Sequence, residues 1–483
     1  VFAALQEASE RVALSFPDRS LTYAQLATAA GQVAARLRGA QRVAVIAEPR
    51  IETAVAVVAA LHAGVPIVPI NPRSGPRELA HIVSDAAPEL VLFAPGTDAP
   101  AELHPVVVDL DHALDFDGPV PAAAAPAPAA ARPEDPALIV YTSGTTGAPK
   151  GAVIPRRAIT SNLDALADAW GWTADDVVAH ALPLFHVHGL VVATLGPLRR
   201  GGSAMHLGRF TAEAVTAALA GEATMLFGVP TMYRRLADAA QESGGLADAL
   251  RRARLLVSGS AALPAAEHAR LQRLTGRAVI ERYGMTETLM NTAVRADGTP
   301  APGTVGPPLG GIDVRLVDDD GTELEVDDDE TIGELQVRGP NLFLGYVNRP
   351  DETAQTLRDG WFATGDMATR RADGYIRLVG RRATDLIKSG GFKIGAGEIE
   401  GSLREHPAVS DAAVTGEADD DLGERVIAWV VLREGETAEP AELIDHVAGQ
   451  LAPHKRPRVV HLLDDLPRNE LGKVQKKRLR TEG

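Results

Sequence analysis

The densest concentration of side chains suited to chemistry lies between Thr142 and Lys150, in the run Thr-Ser-Gly-Thr-Thr-Gly-Ala-Pro-Lys. Ala137-Leu138-Ile139-Val140-Tyr141 before it reads as a short buried strand, and Pro155-Arg156-Arg157 beyond it opens a helical pattern. Gly144 and Gly147 let backbone N–H groups turn inward on an anion. Thr142, Ser143, Thr145 and Thr146 add hydroxyl donors, and Lys150 supplies a point charge. That combination is a phosphate cradle. The spacing from Gly144 to Lys150 departs from the Walker pattern, and no hydroxyl follows the lysine. A polar surface loop is the plainer alternative, and it fits poorly with so dense a run directly after an apolar strand.

Further stretches add to it. Tyr283-Gly284-Met285-Thr286-Glu287 follows the apolar strand Ala278-Val279-Ile280. Thr286 and Glu287 at such a strand end suit a nucleotide phosphate and its Mg²⁺, which prefers a carboxylate or two plus phosphate oxygens. Gly360-Trp361-Phe362-Ala363-Thr364-Gly365-Asp366 pins a carboxylate in a glycine-flanked turn, well placed for both ribose hydroxyls. Gly380-Arg381-Arg382-Ala383-Thr384-Asp385, Lys388-Ser389-Gly390-Gly391-Phe392 and Asn469-Glu470-Leu471-Gly472-Lys473 complete the series.

In this order the stretches resemble the signatures of the adenylate-forming superfamily: acyl-CoA synthetases, peptide-synthetase adenylation domains and beetle luciferases. The match covers the chain from about residue 140 to 476, with Leu21-Thr22-Tyr23-Ala24-Gln25-Leu26 fitting as well. The resemblance implies that Thr142 to Gly147, Lys150, Ser260, Ala261, Tyr283 and Gly284 hold ATP. It makes Thr286 and Glu287 catalytic, with Glu287 on Mg²⁺, and gives Asp366 the ribose. Gly390 and Gly391 line the tunnel for coenzyme A, and Lys473 bridges the incoming carboxylate and the α-phosphate. His186, in Phe185-His186-Val187-His188-Gly189, matches an aromatic/His motif of the acyl pocket; a metal pair with His188 is the weaker alternative. Gly-Arg-Arg-Ala-Thr-Asp is one residue longer than the commonest spacing. It leaves open whether Arg381 or Arg382 contacts the nucleotide, and whether Thr384 or Asp385 is the pivot. Lys476, Lys477, Arg478 and Arg480 read as a basic, solubilising tail.

Arg282 and Arg235 bear on the acid. In relatives their positions face the acyl group, Arg282 beside Tyr283 and Met285, and Arg235 after Gly228-Val229-Pro230-Thr231 on the opposite wall. Cations facing an acyl group are costly unless the substrate brings negative charge. An arginine fork pairs both oxygens of a carboxylate. Two arginines at the blind end of the pocket therefore predict a small dicarboxylic acid, and among relatives the set looks most like malonyl-CoA synthetases, with methylmalonate as a further substrate. The alternatives are a small monocarboxylate or oxalate CoA ligase, and a free-standing adenylation enzyme loading a carrier protein. A luciferase-type oxygenase would need a large apolar pocket. Acylation of Lys473 by a lysine acetyltransferase, reversed by a deacetylase, is an expected off-switch, since a neutral amine cannot bridge two anions.

These groups must be positioned by more than one domain, because 483 residues exceed a single core. Thr22 to Gln25 is a capping box, and Leu26, Ala30, Val33 and Leu37 then share a helical face. Strands at 42–47, 65–70 and 90–93 alternate with helices at 51–63 and 78–84, which predicts parallel βαβ units. An Ala/Pro-rich connector spans 121–132, and a second α/β lobe follows the cradle. Short alternating runs at 313–317, 333–338 and 375–379 read as antiparallel β structure. The fold class is thus α/β: a large N-terminal domain (1–380) of α/β lobes plus a β-rich subdomain, hinged to a small C-terminal α/β domain (381–483). A formal charge of −16 argues against nucleic acid as a partner. The chain has no cysteine, so any thiol in the chemistry comes from a co-substrate. With neither an apolar run near eighteen residues nor a signal peptide, no membrane and a cytoplasmic location are expected.

Overall fold

The computed structural model of the chain describes residues 2–7, 9–97, 105–108, 131–142, 148–382, 385–468 and 474–479. Among these, a seven-stranded sheet runs in the order Gly345–Tyr346, Lys150–Pro155, Pro136–Thr142, Ile67–Ile70, Val43–Ile46, Leu90–Phe93 and Pro105–Val107. Its last five strands are parallel, as the alternation of strands and helices predicts. Lys150–Pro155 is antiparallel to Pro136–Thr142, with Thr142 and Lys150 as register partners. Thr142 and Lys150, the two ends of the cradle, are thus end residues of paired strands, and Lys150 opens a strand that the sequence reading does not include. Ser143 to Gly147 lie outside the described residues, as does the connector 121–132 apart from Ala131 and Arg132.

An eight-stranded sheet forms the second lobe, in the order Leu289–Ala293, Val279–Met285, Leu255–Ser258, Met225–Gly228, Val177–His180, Ser203–His206, Val12–Ser15 and Ser20–Thr22. The N-terminal strands thus join the second lobe, a long-range pairing that local pattern does not reveal. Between Ser20–Thr22 and the first lobe runs the helix Tyr23–Leu37, whose capping box is formed. Thr22 Oγ1 accepts from the Gln25 N–H, and Gln25 Oε1 accepts from the Thr22 N–H. The helix Ile51–Ala63 is buried continuously from Ile51 to Leu61 and ends on Gly64 at φ +76°. A helix apolar on every side can only be internal, and its residues share one core cluster with strands of both sheets.

The β-rich part is an antiparallel sheet of Asp313–Val317, Gly333–Arg338, Trp361–Arg370 and Leu357–Arg358, with Ile376–Arg381 paired to Trp361–Arg370. A last sheet joins Phe392–Gly395, Leu386–Ser389, Gly423–Leu432, Val409–Asp419 and Val459–Leu463. It has its own core, including Ile387, Ile394, Ile399, Leu403, Val414 and Val430. This is the smaller, C-terminal α/β unit beside a large N-terminal one. Among the described residues no helix is long and apolar enough to cross a membrane.

Candidate active site

Open α/β sheets bind ligands beyond the carboxyl ends of their parallel strands, and most of the described candidates gather there in the second lobe. Alternation along Val279–Met285 sends neighbours to opposite faces. Glu281, buried, accepts from the Leu263 N–H at 2.8 Å and lies 2.8 Å from His268 Nε2, fixing the segment that follows Ser258. Arg282 turns the other way, against Gly259. A methyl group added at Gly259 would sit 2.5 Å from Arg282 Nε and 2.7 Å from Nη2. Arg282 is 4% exposed, yet its Nε and Nη2 have no hydrogen-bond partner. Burial pulls this guanidinium down to about 9, which leaves it charged at neutral pH.

His188 stands in the same corner. It is buried, its Nδ1 lies 3.4 Å from Ser260 Oγ, and its Nε2 has no partner. Burial, and then the charge of Arg282, hold its proton affinity well below the ordinary histidine value. The ring is neutral. A neutral imidazole has one N–H donor and one acceptor nitrogen, and here the nitrogen without a partner is Nε2. The structure thus joins a buried cation and a neutral imidazole, each with a ring or guanidinium nitrogen that has no partner. In sequence His188 reads as one of two strand histidines; here it opens the wide helical segment His188–Leu195.

The other expected arginine differs. In the helix Pro230–Glu242 the residues Tyr233, Leu236, Ala237 and Ala240 form the buried stripe, which leaves Arg235 off that stripe and exposed. The expectation that both guanidiniums are enclosed at the blind end of the pocket, on opposite walls, is corrected. Arg282 is buried, whereas Arg235 is at the surface, three residues along from the half-buried Met232. Met232, Phe185 and Met285 all pack against the same core cluster. His186 is half-buried, its ring 4.5 Å from that of Phe185.

The nucleotide candidates form a second group. Asp366 Oδ2 accepts from Tyr283 Oη at 2.5 Å, and Oδ1 lies 2.8 Å from Arg381 Nε. Burial and the neighbouring Asp366 push the Tyr283 hydroxyl well above its ordinary value, so it stays a donor. Arg381 also donates to the Thr364 carbonyl, whereas Arg382 pairs with Glu334 and Asp319. Between the two arginines it is Arg381 that reaches the Asp366 corner. Gly284 allows the tight return after Tyr283, since any Cβ there would run into the Leu289 carbonyl oxygen. Thr286 is half-buried in that return, and Glu287 beside it is buried. Ser260, at φ +71°, and Ala261 are exposed at the end of Leu255–Ser258.

Glu287 has a partner that sequence reading misses. Tyr346 Oη donates to Glu287 Oε1 at 2.8 Å, and Lys150 Nζ lies 5.4 Å from the centre of the Tyr346 ring. Lys150 in turn pairs with Glu352, whose carboxyl that bond holds below its usual value. Tyr346 therefore stands between the base of the cradle and the carboxylate expected to meet Mg²⁺. A single buried carboxylate fits that ion, which takes its remaining oxygens from phosphate and water.

In the C-terminal unit, Gly390 and Gly391 take φ of +57° and +83° at an exposed two-residue hairpin turn, a conformation that favours glycine at both positions. Thr384 and Lys473 lie outside the described residues. Lys476 corrects the reading of a solubilising tail. Its side chain is 14% exposed, with Nζ 2.6 Å from both Asp385 Oδ1 and Glu400 Oε1.

Two family models match: an AMP-binding enzyme model over residues 1–347, and the AMP-binding enzyme C-terminal domain over residues 398–473. The chain belongs to the AMP-binding enzyme family. Within this family it is 58% identical to a malonyl-CoA ligase solved as a ternary product complex with methylmalonyl-CoA and AMP bound, covering 97% of this chain and 100% of that one with a TM-score of 0.74. It is 37% identical to ATP-bound MatB from Rhodopseudomonas palustris, covering 99% and 98% with a TM-score of 0.89. The mouse (Mus musculus) mitochondrial malonate–CoA ligase ACSF3 is 39% identical over 372 residues, 71% of this chain; the aligned part spans 64% of that relative's own length.

Proposed function

We propose that this AMP-binding enzyme is an acid–CoA ligase that makes malonyl-CoA, and methylmalonyl-CoA, from the diacid, ATP and coenzyme A. The observation that carries the substrate is the buried Arg282 guanidinium whose Nε and Nη2 lack acceptors, beside the neutral His188 with its Nε2 unpaired. Such groups are costly to bury and become favourable when a carboxylate supplies acceptors. The methylmalonyl-CoA bound in the 58% identical relative, and the malonate in the names of other relatives, fit that need. Arg235, exposed on the helix Pro230–Glu242, would supply a second cation, and Met285 and His186 would limit the length of the acid.

One carboxylate of the acid attacks the α-phosphorus of ATP; a new O–P bond forms, and the bond to pyrophosphate breaks. This transfer needs charge neutralisation and alignment more than covalent help. Lys473 supplies a cation between the carboxylate and the α-phosphate. Thr142 to Gly147 and Lys150 hold phosphate oxygens, and Ser260, Ala261, Tyr283 and Gly284 border the nucleoside. Thr286 adds a hydroxyl, Asp366 with Arg381 takes the ribose, and Glu287 would hold Mg²⁺, which when bound would neutralise phosphate charge. The thiol of coenzyme A, arriving past Gly390 and Gly391, then loses its proton; sulfur bonds to the acyl carbon as the bond to AMP breaks. Better overlap with the ATP-bound relative than with the product complex, despite lower identity, supports reading this arrangement as the adenylating one. We place the domain boundary between residues 380 and 381, the compartment in the cytoplasm, and a lysine acetyltransferase and deacetylase acting on Lys473.

AMP release with coenzyme A across acetate, propionate, malonate, methylmalonate, succinate and oxalate tests this reading. Preference for malonate and methylmalonate is expected; faster turnover of a monocarboxylate or oxalate overturns it.

A further inference from the structure

The ion cluster around Lys476 has no part in the chemistry above. Its ammonium lies 2.6 Å from Asp385 Oδ1 and 2.6 Å from Glu400 Oε1, on a side chain 14% exposed. Each carboxylate is itself built into the unit. Asp385 Oδ2 accepts the Arg381 N–H at 3.0 Å, and the Asp385 carbonyl accepts the Ala396 N–H at 2.9 Å. Glu400 Oε1 also accepts the Val414 N–H at 2.9 Å. Just upstream of Lys476 the chain is pinched closed, with Arg468 and Val474 forming an antiparallel bridge and Gln475 N–H donating to the Pro467 carbonyl at 2.7 Å. In the sequence, Lys473 falls between the two bridge partners Arg468 and Val474. The pinch is held on both sides: Arg468 pairs with Asp411 on one, and on the other Lys476 is fixed on Asp385, four residues from the Arg381 that holds Asp366.

We propose that Lys476 is a positioning residue, which ties the base of the Lys473 segment to the Asp385 junction and so registers Lys473 for the adenylating half-reaction. The proposal rests on the reading of Lys473 given above. Lys476 touches no substrate; it acts through the segment that Lys473 occupies. Two carboxylates around one buried ammonium fix it in three dimensions, whereas a solvated tail lysine fixes nothing. Misplacement of a reacting group by about 1 Å can cost about 100-fold in rate, so loosening this anchor acts on adenylation. Thioester formation, which is assigned to the Gly390-Gly391 face, does not need it.

The test uses the full chain as the wild type and as Lys476→Gln, Lys476→Arg and Lys473→Ala variants. Each is assayed for malonate-dependent ATP–pyrophosphate exchange and, separately, for thioester formation from synthetic malonyl-adenylate and coenzyme A. Lys476→Gln is expected to lower the kcat of exchange by about 10- to 100-fold while thioester formation stays within about threefold, and Lys476→Arg is expected to restore most of the exchange. Equal losses in both half-reactions, or no loss in either, overturn the proposal. If Lys476→Gln fails to fold, the Lys476→Met/Glu400→Gln pair, which removes the cation and one carboxylate together, is read by the same split. Lys473→Ala separates the two ideas. Unchanged exchange in that variant sinks the reading of Lys473 itself, whereas a loss there with none at Lys476 sinks only the positioning role.

Discussion

The guanidinium of Arg282 occupies the space that a side chain at Gly259 would need: a methyl group there would lie 2.5 Å from Nε. The absence of a Cβ at Gly259 is thus part of how the cation is placed. Gly259→Ala is expected to displace the guanidinium and raise the KM for malonate by about tenfold, near 1.4 kcal/mol, with the KM for ATP changed less than twofold. Steady-state kinetics with each substrate varied in turn checks it. A rise confined to ATP contradicts the placement.

Tyr346 steadies Glu287 through one hydrogen bond and flanks Lys150 with its ring. Removing the hydroxyl frees a buried carboxylate to reorient, at the net cost of a bond to a charged group, about 2 kcal/mol. Tyr346→Phe should therefore raise the Mg²⁺ concentration needed for half-maximal exchange severalfold and leave the preference among acids intact. Titration of exchange activity with Mg²⁺ at fixed ATP reads this out.

Acid should destabilise the N-terminal domain through its buried histidines. Burial lowers His206 from 6.5 to about 4 and holds His180 and His188 well below the ordinary value. The unfolded chain binds these protons near pH 6.5 and the folded chain only near 4 at His206, so stability is present above 6.5 and is lost as the pH falls between those values. For His206 the loss is on the order of 3 kcal/mol. Thermal unfolding followed from pH 7.5 to 4.5 should show a falling Tm, and His206→Gln should flatten the slope. A Tm independent of pH over that range contradicts it.

What the sequence reveals follows from which interactions are local. The capping box at Thr22 and Gln25, the helix over 51–63 and the antiparallel runs after Asp313 are short-range patterns, and all three form. The corner at Asp366 was legible as a motif, and geometry then chose Arg381 over Arg382 because Glu334 and Asp319 engage the latter. Other features depend on partners distant in the chain. Tyr346 meets Glu287 across 59 residues, and nothing around it in sequence announces the contact. Lys476 looks like a solvated tail until Asp385 and Glu400 are folded around it. Arg235 and Arg282 have equal standing as sequence letters; the helix stripe through Tyr233 and Leu236 puts one outside, and strand alternation puts the other inside.

In the proposed ligase, Arg282 is the group that makes a second carboxylate necessary. The most direct test is the ratio of kcat/KM for malonate to that for propionate, which lacks the distal charge, in the wild type and in Arg282→Met. The account predicts a wild-type ratio of about 10⁴, falling by at least about 100-fold in the variant and mostly through loss of malonate use. Arg235→Ala should lower it by no more than about tenfold. A variant that loses activity toward both acids in equal proportion, with the ratio preserved, would contradict the account.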